Sequence, residues 1–157
     1  MSVKIIPKFN KADIRKMLEA RKQLILDKIT ERLQKIGETF VTNAKNNGTM
    51  FLGPFLTSGY KDHTGNLRSS IGYVILYNGA QLNSKIEGEA EGVRFAKKAI
   101  ADISLKYPSG FVLIGVAGMD YAAAVESKGF DVISNSATIA AIELRNAMKR
   151  FQQSLNS

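Results

Sequence analysis

Residues 11–45 read KADIRKMLEARKQLILDKITERLQKIGETFVTNAK, and this segment decides the architecture of the chain. Asn10 is suited to cap a helix and Asp13 to lie in its first turn. Residues 46–48, Asn-Asn-Gly, end the periodic pattern. At about 100° per residue, the apolar positions of the segment fall on one stripe of a helix of about 35 residues. They are Ile14, Leu18, Ile25, Ile29, Leu33, Ile36 and Phe40.

The predicted helix is too long for the domain that carries it. It would extend about 50 Å, whereas a compact domain of this chain length is about 40 Å across. The helix therefore either breaks, with Gly37 the best candidate, or extends past the domain. An extension would leave part of the apolar stripe exposed, and a neighbouring subunit is the simplest cover for it.

The next segments are predicted to form a loop and an antiparallel hairpin. Residues 48–63 are punctuated by glycine and proline, and their aromatic residues either pack on the core or dock on a partner. Residues 71–77 alternate as a strand does. Asn78-Gly79 is a strong turn signal, which predicts a return strand near residues 82–86. The three loop aromatics are Phe51, Phe55 and Tyr60.

The second half of the chain alternates helices with short strands. Residues 91–106 have a helical period, and residues 111–117, FVLIGVA, are apolar on both faces, which favours a central strand covered on both sides. Residues 120–127 predict a short helix and residues 130–133 a short strand. A last helix, capped by Ser134 or Ser136, runs to about residue 155. The helix at 91–106 is expected to present Val93, Ala96, Ile100 and Ile103 on one face, and the last helix Leu144, Met148, Phe151 and Leu155.

Together these elements predict an α+β fold with a long N-terminal helix, a small and mostly antiparallel sheet, and further helices including a C-terminal one. We expect one domain over residues 1–157, made of the helix at about 11–45 and an α+β core at about 60–157. There is no cysteine, so disulfides and thiol chemistry are excluded. No apolar run is long enough to span a membrane, and no signal core precedes the helix, so synthesis in a cytoplasm and no membrane partner are expected.

Positive charge is the main compositional feature of the chain. The formal net charge is +8, from 22 Lys and Arg against 14 Asp and Glu. Such a surface suits nucleic acid, a membrane or an acidic protein face, but it is also compatible with a simple solvated surface. The cations concentrate before residue 46. The predicted basic face consists of Arg15, Lys22, Lys28, Arg32 and Lys35.

The sequence offers little for catalysis, and we expect no catalytic residue, no metal site and no cofactor. His63 is the only histidine, and the Asp62-His63 pair in a glycine-rich turn is more typical of turn chemistry than of a metal or hydrolase site. The run Gly115-Val116-Ala117-Gly118 lacks the third glycine of a dinucleotide motif, which favours close packing or a bend. The acidic residues near Gly88, at positions 87, 89 and 91, are interpreted as an exposed turn or strand edge.

Two stretches resemble a known family. The run Thr64-Gly65-Asn66-Leu67-Arg68-Ser69-Ser70-Ile71 is similar to a motif that leads into the first strand of phage neck and tail-completion proteins, also described as head–tail connectors or minor tail components. That family opens with a long helix, and its later Tyr-Ala and Val-Glu pairs match Tyr121-Ala122 and Val125-Glu126. Two departures are Ala124, where the family often has an aromatic, and Gly129, which follows Val-Glu later than usual.

The resemblance implies a structural virion protein that forms a homo-oligomeric ring at the head–tail junction. Its neighbours would be the head connector or adaptor and the tail tube proteins, with non-specific contact to DNA in the channel. The motif and interface candidates are Thr64, Gly65, Leu67, Arg68, Tyr121, Val125, Glu126 and Gly129.

The residues of the motif fit structural roles. Thr64 is suited to cap a turn, Gly65 to adopt an unusual φ and Leu67 to anchor in the core. Arg68 would stay at the surface and pair with a carboxylate, with Glu126 the candidate within or between subunits. Two other functions remain as alternatives: a sequence-independent DNA-binding protein, and a small hydrolase or nuclease that uses Asp62 and His63.

Overall fold

The computed structural model describes residues 10–46 and 65–155. Within these ranges the chain is mixed helix and sheet, as predicted. The predicted loop at 48–63, with its three aromatics, and Asp62, His63 and Thr64 lie outside the described residues. The elements are α1 (Lys11–Lys45), α2 (Asn66–Ser69), β1 (Ile71–Tyr77), β2 (Ala80–Lys85), α3 (Ala90–Ser104), β3 (Phe111–Ala117), α4 (Ala122–Ser127) and α5 (Ser134–Leu155).

Helix α1 has the predicted bounds and does not break. Asn10 caps it, because its Oδ1 accepts a 2.9 Å hydrogen bond from the amide of Asp13. Gly37 lies inside the helix and is buried. A Cβ at this position would lie 2.6 Å from a ring carbon of Tyr73, so glycine is required for the close approach of α1 to β1 and not for a kink. The helix therefore extends past the domain, which was the second of the two predicted alternatives.

The described strands form one antiparallel sheet in the order β2-β1-β3. The Asn78-Gly79 turn is confirmed: its residues have φ of 50° and 77°, as in the tight turns that match strand twist. Tyr77 pairs with Ala80 across the turn, and the register shifts once between Ile75 and Leu76. Asn78 also ties the hairpin to the start of β3, since its Oδ1 accepts a 2.8 Å bond from the amide of Gly110.

The prediction that residues 111–117 form the central strand is wrong. Among the described strands, β1 is central and β3 pairs only with β1. Helices cover both faces of β3, because α1 lies on one side of the sheet and α3 on the other. Apolar residues on both faces of a strand report this coverage by helices, and not the number of neighbouring strands.

The sheet separates two apolar cores. Val132 and side chains of β1 and α2 pack on the C-terminal half of α1, and the other face of the sheet packs on α3. The face of α3 is as predicted, with Ala96 and Ile100 buried and Val93 and Ile103 half-buried. The core on the α1 side holds Leu33, Phe40, Val41, Ala44, Leu67, Ile71, Tyr73, Ile75 and Val132. The core on the α3 side holds Val74, Leu76, Ala96, Ile100, Ile114 and Val116.

The glycines of the run Gly115–Gly118, one inside β3 and one just after it, serve close packing, as expected. A Cβ on Gly118 would collide with the carbonyl oxygen of Gly92, and one on Gly115 would lie 2.5 Å from the ring of Phe40. The absence of side chains therefore lets α3 cross the end of β3 and lets α1 lie close to the sheet. The acidic residues at 87, 89 and 91 are exposed, as predicted, but Glu91 lies in the first turn of α3 and not in the turn before it.

Two local predictions near α5 are wrong. Residues 130–133 are not a strand, because the amides of Val132 and Ile133 donate to the carboxylate of Glu126 and not to a neighbouring strand. Neither predicted serine caps α5. Instead, the amide of Asn135 donates a 2.9 Å bond to Oδ1 of Asp131. Carboxylates from outside the helix thus replace the hydroxyl cap that the sequence indicated.

Candidate assembly surface

The N-terminal part of α1 carries apolar side chains that no other described residue covers. Residues 11–24 are all exposed, and we call this segment the overhang. Ile14 is 40% exposed, Leu18 63% and Met17 73%. Full burial of such a side chain is worth about 1.5–3 kcal/mol relative to exposure. A row of three on one helix therefore marks a surface that gains free energy when another molecule covers it.

An apolar trough runs between α1 and α5 next to the overhang. Its volume is about 410 Å³. The stripe predicted for the last helix forms one wall, with Leu144 half-buried and Met148 45% exposed. We call this feature the α1–α5 trough. Its apolar lining is Leu24, Ile25, Ile29, Leu33, Leu144, Ala147, Met148 and Phe151.

A second and smaller cavity continues the trough towards the sheet. It has a volume of about 200 Å³ and lies between α1, α5 and the sheet. Leu144 lines both spaces, so they adjoin at this residue. The remaining lining is rich in small residues: Gly37, Gly115, Ala137, Ala140 and Ala141, with Phe40, Tyr73, Leu113 and Ile133.

The five residues of the predicted basic face do not lie on one face of α1. Successive residues turn by about 100°, so Lys28, Arg32 and Lys35 fall within about 60° of one another, whereas the other two lie about 80° or more from Arg32. Lys22 pairs with Glu19 at 3.4 Å and Lys35 with Glu31 at 2.9 Å. Both pairs are exposed and contribute little to stability. The positions on the other side are Arg15 and Lys22.

Three exposed cations line the α1–α5 trough: Arg21, Lys28 and Arg32. We call them the rim cations. They fall within about 40° of one another on α1, while Asp27 lies about 100° to 140° and Glu31 about 60° to 100° away around the helix, where Glu31 pairs with Lys35. Neither of the two ion pairs within the described residues includes a rim cation, and no acidic residue lines the trough. The trough therefore combines an apolar floor with positive charge that its surroundings leave unneutralised.

The first motif, residues 64–71, includes the turn that leads into β1. Gly65 has a φ of 75° and precedes α2, so the unusual φ expected of it is confirmed. Leu67 is 1% exposed and anchors in the core, also as expected. Arg68 is half-buried, so part of the side chain is at the surface as expected, while its Nε lies below the surface. Ser70 then holds the end of β3, because its carbonyl accepts from the amide of Gly118 at 3.1 Å.

The second motif, the pairs Tyr121-Ala122 and Val125-Glu126, fixes the start of α5 through Glu126. Oε1 of Glu126 accepts bonds from the amides of Val132, Ile133 and Ser134 at 3.3, 2.8 and 3.1 Å. Its Oε2 accepts a 3.0 Å bond from the hydroxyl of Ser134. Glu126 thus binds the first turn of α5 and not Arg68, so the predicted pairing is not formed within the described chain. Because α5 is one wall of the trough, Glu126 helps to position that wall.

These contacts change the acidity of Glu126. Partial burial on its own raises the pKa of the carboxyl, because it disfavours the charged form. The bonds from the Ile133 amide, the Ser134 hydroxyl and amide, and the Val132 amide favour the ionised form and outweigh burial. The pKa of Glu126 is therefore lowered, and the carboxylate is charged at neutral pH while it holds α5.

The other residues of the second motif shape α4. Tyr121 precedes α4 and is 39% exposed, and its carbonyl accepts from the amide of Val125 at 3.0 Å. Val125 packs against the core on the α1 side. Gly129 has a φ of 86° and ends α4, with its amide donating to the carbonyl of Glu126 at 2.9 Å. The later glycine therefore still performs a helix-ending role.

Within residues 10–46 and 65–155, no group of three or more histidine, aspartate or glutamate residues is placed to hold a metal ion. No helix in that part of the chain is long and apolar enough to cross a membrane.

Sequence reasoning missed the trough itself. Leu24 and Arg21 belong to α1, while Met148 and Phe151 belong to α5. The two pairs come together only through the tertiary packing of the two helices. The available signal was the stripe of α5, which is too apolar for a solvated face. No family model, curated protein or solved structure matches this chain.

Proposed function

We propose that this chain is a structural subunit of the head–tail junction of a tailed-phage particle, in a neck or tail-completion position. It assembles as a homo-oligomeric ring and acts by binding through its interfaces, without bond chemistry. The resemblance of residues 64–71, and of the pairs Tyr121-Ala122 and Val125-Glu126, supports the family. The chain would be made in the host cytoplasm and would function in the virion.

The overhang is the observation that carries the proposal. Residues 11–24 extend for about 20 Å at 1.5 Å per residue, enough to reach a neighbouring subunit. Ile14, Met17 and Leu18 are exposed along it. A closed ring uses two different surfaces on each subunit, one on either side. The overhang of one subunit, laid on the next, would bury these side chains and close such a contact.

Positive charge has two uses in such a ring. It can face DNA that passes through the channel, or it can match an acidic face of the head connector or the tail tube protein. Both follow from the net charge of +8. The rim cations are the part of this charge that borders an apolar surface, which suits contact with protein.

The test is gold labelling of purified particles with an antibody to this chain. The proposal predicts one label at the head–tail junction. Particles that carry no label there, while antibodies to their other structural proteins do bind, would contradict it. A variant with Leu18→Glu, which changes only an exposed position, should lose its label, whereas Lys98→Glu on the exposed face of α3 should retain it.

A second candidate is a sequence-independent DNA-binding protein. The rim cations favour it, because they form no ion pair among the described residues. This function predicts that DNA affinity falls steeply with salt, and that the free chain is a stable monomer or dimer. Binding of duplex DNA measured between low and physiological salt distinguishes the two: weak affinity at physiological salt favours the virion role.

A further inference from the structure

We infer that the α1–α5 trough is a docking site for an amphipathic helix with acidic flanks, supplied by another protein. This site does not depend on the proposed place in a virion. If the proposed function is correct, the occupant would be a segment of a neighbouring virion protein. Three features carry the inference: the shape of the trough, its apolar floor and its unneutralised positive rim.

The walls of the trough determine how an occupant is recognised. Both walls are helices, whose backbone groups are bonded within α1 and α5. An incoming strand would therefore find no free sheet edge to pair with in this place. Recognition has to act through side chains, and apolar residues at helical spacing are the ligand that such a groove takes. Leu24, Met148 and Phe151 provide the complementary apolar surface.

The charge of the rim specifies the flanks of the occupant. Arg21, Lys28 and Arg32 are exposed and outside the ion pairs of the described residues. On α1, Asp27 lies about 100° to 140° around the helix from them, and Glu31, about 60° to 100° away, is paired with Lys35 at 2.9 Å. Acidic residues beside the apolar face of the occupant would neutralise the rim while Leu and Met side chains fill the floor. Complementary charge of this kind sets orientation and rate of association more than affinity.

A second copy of the chain fits the trough poorly. A two-fold dimer through this surface would place the rim cations of one copy against those of the other. Like charges in contact disfavour that arrangement, and the net charge of +8 adds to the repulsion. DNA would neutralise the rim but leave the apolar floor uncovered. A flat lipid surface would reach the overhang but not fill a concave trough.

The length of the occupant follows from α1. From Arg21 to Leu33, the α1 residues that line the trough, the axial distance is about 18 Å, which corresponds to a helix of about 12 residues. Such a helix would lie along the trough and leave Met17 and Leu18 on the overhang free for the proposed contact between subunits. These two residues are the most exposed apolar side chains of α1.

The test measures binding of designed peptides to the full chain by fluorescence anisotropy. The probe is a helical peptide of about 12 residues with leucines at helical spacing and glutamates on both flanks. Its matched control replaces every glutamate by lysine. The acidic peptide is expected to bind at least about tenfold more tightly, because each exposed ion pair adds a fraction of a kcal/mol and several form together. Equal affinity for both peptides would overturn the inference.

Variants assign the binding to the trough. Leu24→Glu adds an acid to the floor, and the pair Lys28→Glu with Arg32→Glu reverses the rim; each should weaken the acidic peptide about tenfold or more. Lys98→Glu on α3 makes one of these charge changes away from the trough and should leave affinity within about twofold. All these positions are exposed, so folding, checked by circular dichroism, is retained. Unchanged affinity in the trough variants would overturn the site.

Three further readouts separate the other occupants. Sedimentation of the free chain that shows a dimer lost in Leu24→Glu would assign the trough to a second copy and overturn the inference. Flotation with phosphatidylserine vesicles that Leu24→Glu abolishes would assign it to a membrane. Duplex DNA that displaces the acidic peptide completely at physiological salt would assign it to nucleic acid. The inference predicts that Leu24→Glu changes neither the oligomeric state of the free chain nor its flotation with vesicles. It also predicts that duplex DNA does not displace the acidic peptide completely.

Discussion

The two ends of α1 carry the same pattern and have opposite surroundings. In the C-terminal part, Leu33, Ile36 and Phe40 are almost completely buried, and Leu33 and Phe40 belong to the core beside the sheet. In the overhang, Ile14 and Leu18 occupy the same stripe and remain exposed. The pattern of a helix therefore predicts which face is apolar, but not what covers it. One end of the stripe stabilises the fold, and the other remains exposed among the described residues.

The largest difference between the two ends should appear on truncation of a side chain. Phe40→Ala removes a buried ring that contacts Gly115 and should lower the free energy of unfolding by about 3–5 kcal/mol. Leu18→Ala in the overhang should change it by no more than about 0.5 kcal/mol. Denaturant unfolding of both variants measures the contrast. Similar losses in the two would mean that the overhang is covered within the free chain.

The next effect concerns the close contact of α1 and β1. Gly37→Ala would normally stabilise a helix by about 1 kcal/mol. Here the added methyl meets the buried ring of Tyr73, and overpacking of this kind costs about 1–3 kcal/mol. We therefore expect a net loss of stability. In a Tyr73→Leu background the penalty should largely disappear, and a double-mutant cycle measures the difference. A stabilising Gly37→Ala in the natural chain would contradict the contact.

The third effect concerns Glu126, which positions the α5 wall of the α1–α5 trough. Glu126→Gln removes the charge from four hydrogen bonds and should cost about 1–3 kcal/mol at pH 7. The pKa of Glu126 is lowered in the folded chain, so its contribution is complete above the unfolded pKa of about 4.3. It is lost as the pH falls through the lower folded pKa.

Unfolding of both chains between pH 7 and pH 3 checks this dependence. The free energies of the natural chain and Glu126→Gln should converge as the pH falls below about 4.3. Glu89→Gln, at an exposed position, is the matched control and should follow the natural chain. A gap between the natural chain and Glu126→Gln that stays constant with pH would contradict the role of the carboxylate.

The smallest effect on stability, and the sharpest on function, is expected in the overhang. Leu18→Glu places a charge on an exposed position and should leave the free energy of unfolding within about 0.5 kcal/mol. Incorporation into particles should nevertheless fall strongly, because a charge would be buried at the contact between subunits. Quantitative immunoblotting of purified particles measures incorporation. Normal incorporation of a stable Leu18→Glu chain would separate the overhang from assembly.

Much of this fold could be predicted from local patterns. The cap at Asn10, the stripe of α1 and the Asn78-Gly79 turn depend on neighbouring residues, so sequence spacing was sufficient. The position of β3 in the sheet could not be predicted from local patterns. The strand is apolar on both faces because α1 covers one face and α3 the other. A central strand and an edge strand covered in this way have the same sequence pattern. The prediction of a strand at 130–133 was wrong for a related reason, because amides of this segment bind Glu126, which lies in another helix.

The candidate site was less accessible to sequence reasoning. Gly65 and Leu67 have the local roles that their motif indicated, because φ and burial follow from residue type. The position of Glu126 in its motif did not reveal that it caps α5. The predicted basic face assumed that clustering in sequence means clustering in space. On the helix those residues spread around the axis, and only Lys28 and Arg32 join Arg21 at the trough.

Oxidation of Met17 tests the central claim most directly. Met17 is 73% exposed in the overhang, whereas Met119 packs against the core and serves as the internal reference. With dilute peroxide and mass spectrometry, Met17 of the free chain should oxidise much faster than Met119. In purified particles we predict that Met17 is protected and reacts as slowly as Met119. Oxidation of Met17 at the same rate in particles and in the free chain would contradict an overhang covered by assembly.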